Sequence, residues 1–301
     1  MKKIIITFFM LLTAIFPGVA MAEMVGALMP GGGIPYYETI HKTVMSELNE
    51  LAPGTQILLQ KPAPTEMAWK NATRKFSILN AGAVVAYGSA TAACVVGENA
   101  DLPVIYTAAY LPEVCGVTGN VTGMQANIPM EELIDNLDKI TGFTKLAILY
   151  SPEEKETVKQ METIRELAVK KGAKVNVIDA HDQESFDFSG VNAVVLTSAA
   201  HINNKRTLEK IVTAANARNT ATAAVLSGTC EMGVLISLAA DPVHQGKGAA
   251  RMVAQILDGK SPAQIPPDKS PEIEMTINLK TAKDLGVSIP FELLGKAKVV
   301  K

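Results

Sequence analysis

Short apolar, β-rich runs alternate with helical stretches along this chain, and the whole alternation occurs twice. Strand patterns fall near Val25–Met29, Gln56–Leu59, Ala83–Tyr87, Val104–Thr107 and Val121–Met124, with helical stretches near Tyr37–Leu51, Glu66–Asn80 and Ala90–Glu98. The plan recurs with strands near Lys145–Tyr150, Lys174–Ile178, Ala193–Thr197, Ala221–Leu226 and Leu235–Leu238. Its helices lie near Met130–Ile140, Glu153–Lys171, Asn203–Arg218 and Val243–Leu257. Strands joined through helices pair in parallel. The runs are apolar at most positions, as a sheet covered on both faces requires. The pattern therefore predicts an α/β chain of two doubly wound parallel-sheet lobes.

Local chemistry supports the helix limits. Pro129 and Pro152 are read as first-turn residues, where a missing N–H costs nothing. Glu131, Glu132, Glu153 and Glu154 complement positive helix ends. Val158, Met161, Ile164, Leu167 and Ala168 form an apolar stripe, and Gly172 suits a left-handed cap. The first crossing between lobes is expected near Val121–Pro129. Asp241-Pro242 breaks the chain after the last second-lobe strand, so that Val243–Leu257 returns to the first lobe. The Pro-rich run from Ser261 to Pro271 then leads back. The expected division is residues 23–122 with about 242–268 in one lobe, and 123–241 with about 269–301 in the other.

Residues 1–22 read as an export leader. Lys2 and Lys3 precede an apolar run from Ile4 to Phe16 that is too short to span a bilayer. Pro17-Gly18 breaks the run, and Ala20-Met21-Ala22 is a small-x-small cleavage site. No cysteine follows that site, so no lipid anchor is expected. The expectation is a soluble, monomeric periplasmic protein with no membrane insertion after leader removal. The chain holds 28 Lys/Arg and 30 Asp/Glu, and without Lys2 and Lys3 its net charge is −4. Such a balance offers no basic face for nucleic acid or anionic lipid. Cys94, Cys115 and Cys230 are too few for a disulfide framework. At most one bridge is expected, with Cys94–Cys115 the plausible pair because both lie in the first lobe.

In open parallel sheets, ligands bind beyond the carboxyl ends of the strands. Tyr36, Tyr37, Tyr87, Tyr106, Tyr110 and Tyr150 all fall at or just beyond predicted strand ends. Some of these rings pack locally, Tyr106 and one of Tyr36/Tyr37 being the first candidates. The group nonetheless describes flat apolar walls with hydrogen-bonding tips, suited to a partly aromatic or apolar solute. Gly31-Gly32-Gly33 lets backbone approach a ligand, with Gly32 the central candidate. Ser89 and Thr91 open a helix after a strand. Ser89 is either a plain N-cap or, with Thr91, the seat of an anionic group. Thr107 lies at a further strand end. Ser151, Thr197, Ser198 and Ser227 are the matching second-lobe groups, with Glu153 and Asp241 as the acidic candidates. No cofactor is expected. Gly-x-Ser-x-Gly, His-Glu-x-x-His and Cys-x-x-Cys are all lacking, so no catalytic residue is assigned. His41 and His181 read as surface residues, His201 lies in a cleft loop, and His244 opens a helix. Their spacing predicts no metal site.

Val121-Thr122-Gly123, Leu149 through Glu153, Gly246 through Lys260, and Ile277 through Gly286 resemble the ABC-transporter substrate-binding proteins of the tryptophan/tyrosine-binding type. The resemblance implies a type I periplasmic-binding-protein fold and delivery of a solute to an ABC permease in the inner membrane. It also implies roles for the Ser89–Thr91 loop and for Tyr150–Glu154, where Ser151 replaces a family Asn. The family's second-lobe aspartate is missing from Thr197–His201, and a tyrosine before the late helix is replaced within Asp241–His244. These departures point toward a neutral or anionic, partly aromatic solute, with aromatic amino acids as the runner-up. A ligand sensor serving a membrane receptor is the alternative role. An exported α/β enzyme would need a nucleophile–base pair that the sequence lacks.

Overall fold

The computed structural model describes residues 24–181 and 183–301, and the expected leader at 1–22 lies outside them. The first lobe is built on β1 (Met24–Leu28), α1 (Pro35–Leu51), β2 (Gln56–Gln60), α2 (Glu66–Ile78), β3 (Ala83–Tyr87), α3 (Ser89–Glu98), β4 (Val104–Ala109) and β5 (Val121–Gln125). The second continues with α4 (Met130–Thr141), β6 (Lys145–Tyr150), α5 (Lys155–Lys170), β7 (Lys174–Asp179), β8 (Ala193–Leu196), α6 (Ala200–Asn203), α7 (Lys205–Asn216), β9 (Ala221–Ala224) and β10 (Ile236–Ala240). Helix α8 (Pro242–Leu257) packs on α1, β4 and β5. The tail then supplies β11 (Ile273–Asn278), α9 (Leu279–Leu285), α10 (Phe291–Leu294) and β12 (Lys298–Val300) to the second lobe.

The first sheet has the order β2-β1-β3-β4-β5, all parallel. Its central strands β3 and β4 are buried at every position, because helices cover both faces. The second sheet runs β12-β11-β10-β9-β8-β6-β7. It departs from the all-parallel expectation at one place, where β11 runs antiparallel to β10. The sequence pattern also missed β11 and β12 and gave the tail no elements. Pro152 precedes α5 by three residues rather than sitting in its first turn, and Pro129 is the N-cap of α4.

Three chain segments join the lobes. β5 keeps the chain in the first sheet as far as Gln125, beyond the expected limit at 122. The Gln125 N–H donates to the Asp268 carbonyl at 2.8 Å, and the Asp268 N–H donates to the Gly123 carbonyl at 2.9 Å. The third strap pairs the Asp241 N–H with the Glu272 carbonyl at 2.8 Å. Three strands of backbone side by side restrict relative movement of the lobes to rotation about them.

Gln245 of α8 fixes the strand ends nearest those straps. It is fully buried. Its Oε1 accepts the Ala108 N–H at 2.8 Å, and its Nε2 donates to the Gln125 carbonyl at 3.0 Å. Ala108 has φ +55, and the β4–β5 register shifts between Tyr106 and Ala109. A left-handed alanine costs roughly 1–2 kcal/mol. The Gln245 hydrogen bonds hold that bulge in place and aim it at the space between the lobes.

The Cys94–Cys115 bridge is not formed, and all three cysteines are buried free thiols. Each sulfur faces another partner: Cys94 Sγ the Glu66 carbonyl at 3.8 Å, Cys115 Sγ the Tyr110 carbonyl at 3.6 Å, and Cys230 Sγ the Thr276 carbonyl at 3.3 Å. Burial pushes the thiols up, Cys94 to about 11 and both Cys115 and Cys230 to about 12. Thiolate is the reactive form. Native protein at pH 8 is therefore expected to resist iodoacetamide, with three equivalents taken up only after denaturation, as mass spectrometry would show. Rapid labelling of any native cysteine would contradict the burial.

Candidate functional site

The lobes face each other across the carboxyl ends of their strands. Between them lies a narrow, nearly filled cavity of about 10 Å³. Tyr36, Ala108, Tyr110, Gln160, Ser198 and Leu226 are among the residues lining it, and among the described residues none of the lining side chains is charged. Tyr36 reaches from α1 to the end of β10, where its hydroxyl donates to the Ala240 carbonyl at 3.0 Å. The Ser198 N–H donates to Gln160 Oε1 at 2.8 Å, whereas Ser198 Oγ is buried without a hydrogen-bond partner. Buried hydroxyls are normally satisfied, so this one is available to a solute. Ser151 Oγ is buried in the same condition.

Two acidic residues dominate the edge of the site: Glu154, which closes the Tyr150–Glu154 loop that the resemblance singled out, and Glu156, which the sequence reading left outside it. Glu156 belongs to α5 of the second lobe, yet its Oε2 accepts the Ser89 N–H at the start of first-lobe α3 at 2.8 Å. Gly88 caps that helix at φ +85, and a Cβ there would lie 3.1 Å from Glu156 Oε1. Glycine therefore serves both the left-handed turn and the close approach of the carboxylate. Of the two readings of this helix N-terminus, a plain cap or the seat of a solute anion, the structure shows its first N–H held by a carboxylate of the protein itself. Burial raises the Glu156 carboxyl, and the Ser89 hydrogen bonds oppose that rise. Glu154 is also buried, and the Ala200 N–H donates to its two oxygens at 3.0 and 3.3 Å. Burial first and the Glu156 charge second push it up to about 8.

The expected site residues divide into groups. Tyr36, Tyr110 and Ser198 line the cavity. Ser89 is at the lobe interface, its Oγ donating to the Tyr110 carbonyl at 2.8 Å. Tyr37 is buried beside Tyr36, with ring centroids 5.5 Å apart, and burial raises its hydroxyl with Glu156 adding to the effect. Tyr87 turns into the first-lobe core, where its hydroxyl lies 2.7 Å from His41 Nδ1. His41 is thus buried rather than on the surface, and desolvation lowers it. Thr91 Oγ1 donates back to the Tyr87 carbonyl at 2.7 Å, and Thr197 Oγ1 to the Leu149 carbonyl at 2.9 Å. Thr107 faces Gln245 Oε1 at 3.3 Å. Gly32 is exposed, although the neighbouring Gly33 carbonyl accepts the Lys205 N–H of the other lobe at 2.9 Å. Asp241 caps α8, accepting the His244 N–H at 2.6 Å. Tyr150 is half-buried at the end of β6, and Ser227 is buried in the loop after β9. Glu153 is exposed at the cleft mouth.

Residues 64–301 match the family model described as ABC transporter substrate binding protein. No curated protein sequence matches the chain significantly. Among solved structures, the fold is similar to an ABC domain from Streptococcus pneumoniae in complex with L-Trp, at 22% identity and TM-score 0.84, covering 93% of this chain and all of that one. A conserved domain protein from Vibrio cholerae is similar at 20% identity and TM-score 0.84, with the same coverage. An ABC transporter solute binding protein from Bacillus halodurans with bound myo-inositol matches at 12% identity and TM-score 0.62, covering 89% of this chain and 98% of that one. Two α/β lobes, three straps and a cavity between strand ends agree with the type I periplasmic-binding-protein fold. The chain belongs to the ABC transporter substrate-binding protein family.

Proposed function

We propose that this protein captures a neutral, partly aromatic or apolar solute between its lobes and carries it, as a monomeric periplasmic protein, to an inner-membrane ABC permease. The observation that carries the solute class is the cavity lining. It combines the Tyr36 and Tyr110 rings with Ala108 and Leu226, and its polar groups, Gln160 and Ser198, are uncharged. A zwitterion or anion would there need a buried partner of opposite charge, and an unpaired buried charge costs several kcal/mol. The nearby α3 N-terminus, which favours anions, is taken by Glu156. The L-Trp bound by the Streptococcus pneumoniae protein keeps aromatic amino acids as the comparison class. Lobes formed by residues 24–125 with 242–268 and by 126–241 with 269–301 would open about the three straps to admit the solute.

Calorimetric titration tests this reading with indole, phenol and nucleobases against tryptophan, tyrosine and their decarboxylated amines. Micromolar or tighter binding is expected from the neutral class. Ser198→Ala is expected to weaken that binding about 5-fold, the worth of one neutral hydrogen bond, and to leave the melting temperature unchanged because the hydroxyl has no internal partner. Tight binding confined to the amino acids would refute the neutral-solute assignment.

A further inference from the structure

Three adjacent second-lobe strands each deliver one metal-ligating side chain to a single point. The sheet order places β7, β6 and β8 side by side, with Tyr150 paired to Asp179 and Leu149 to Leu196. Glu153, His181 and His201 lie just beyond the carboxyl ends of β6, β7 and β8 respectively. One ligand atom from each lies within 4.8 Å of the other two. His181 Nδ1 is 3.2 Å from His201 Nε2, and the rings stand at 90° with centroids 4.7 Å apart. His181 Nδ1 is 3.8 Å from Glu153 Oε2. Tetrahedral bonds of about 2.0–2.1 Å separate neighbouring donors by about 3.3 Å. The histidine pair already has that spacing, and Glu153 sits on an exposed, adjustable side chain.

We infer that Glu153, His181 and His201 form a binding site for a divalent transition-metal ion at the mouth of the cleft. Two imidazole nitrogens and one carboxylate oxygen suit zinc, nickel or copper rather than magnesium or calcium, which take mostly oxygen ligands. Three protein ligands leave a fourth position for water or another donor. The backbone around the ligands is held: the His181 N–H donates to Asp179 Oδ1 at 2.8 Å, and the His201 carbonyl accepts from Asn204 Nδ2 at 2.6 Å. Glu153 and His181 share a groove with Thr65, Glu66 and Trp69 of the first lobe. An ion there sits where the two lobes meet, and it does so apart from the uncharged cavity.

The site is tested on the untagged, chelator-treated protein with zinc chloride alone. One equivalent is expected to bind with micromolar affinity by calorimetry. His181→Ala and His201→Ala are each expected to weaken binding by 10-fold to 100-fold, and the pair to abolish it. His244→Ala, at a histidine flanked by Asp268 and Glu272 elsewhere, should leave it unchanged. Trp69 is the chain's single tryptophan and borders the same groove. Copper(II) should therefore quench its fluorescence in the unaltered protein but not in the double variant. Circular dichroism of each variant keeps loss of folding distinct from loss of the site. No stoichiometric zinc binding, binding that survives the double substitution, or loss on His244→Ala would overturn the inference.

Discussion

Gly246→Leu is expected to lower the unfolding free energy by about 3 kcal/mol, near the upper end of overpacking costs. A Cβ on Gly246 would lie 2.6 Å from the Thr43 Cβ and 2.8 Å from the Ile40 carbonyl oxygen of α1. The second contact is with backbone and cannot swing aside. Two turns of helix must separate, and α8 also carries Gln245, so the strain reaches the β4 bulge beside the cavity. A Cβ on Gly248 would overlap Met124 Sδ on the β5 side, so a second α8 glycine also fills a place where a side chain would collide. Gly97 makes the control. It lies exposed in α3, nothing stands within 4 Å of its would-be Cβ, and Gly97→Ala should gain about 0.5 kcal/mol from helix propensity. Urea unfolding of the two variants measures both. Equal and small effects would show that α1 and α8 are not packed this tightly.

The same helix illustrates what could be read without coordinates. That α8 follows a chain break at Asp241-Pro242 is visible in sequence, and so is its amphipathic character. The alternation of apolar runs gave β1 to β10, because strands covered by helices are apolar at most positions. β11 and β12 escaped because the former is an antiparallel neighbour with an exposed start and the latter is three residues long. Tyr87 and Tyr150 end β3 and β6 and Tyr110 directly follows β4, whereas Tyr106 lies inside β4 and Tyr36 and Tyr37 in the first turn of α1; the direction of each ring is set by packing. Tyr87 and Tyr110 leave neighbouring strands, yet one joins His41 in the core and the other borders the cavity.

The acidic edge of the site was more legible than the reading made of it. The fully buried line of α5 is Glu156, Gln160, Ile164 and Ala168, with Thr157 beside it. Extending the apolar Ile164–Ala168 pair backward by four residues at a time leads to Gln160 and Glu156. The stripe chosen from hydrophobicity alone took Val158 and Met161, which are only half-buried. A helix whose buried face turns polar toward one end is pointing that end at something other than the core. Glu153, His181 and His201 offered no such clue. Their proximity depends on the order β7-β6-β8, which no spacing along the chain encodes.

Glu154→Gln is expected to stabilise the protein by on the order of 5 kcal/mol at pH 9 and to change it little at pH 4. The wild-type carboxyl rises from 4.5 to about 8 on folding, through burial and the nearby Glu156 charge. Between those values the folded chain keeps a proton that the unfolded chain releases. Stability therefore falls as pH rises through that window: the contribution is intact below about 4.5 and lost above about 8. Glutamine cannot ionise, and its amide oxygen can still accept the Ala200 N–H that Glu154 accepts now. The variant should thus follow the wild type in acid and separate from it progressively toward pH 9. Glu156 is raised as well, so a shallower fall with pH should persist in the variant. Urea midpoints at four pH values between 4 and 9 decide the matter. Parallel profiles for the two proteins would mean that Glu154 ionises without cost, and hence that its carboxylate meets water or a cation the closed lobes do not provide.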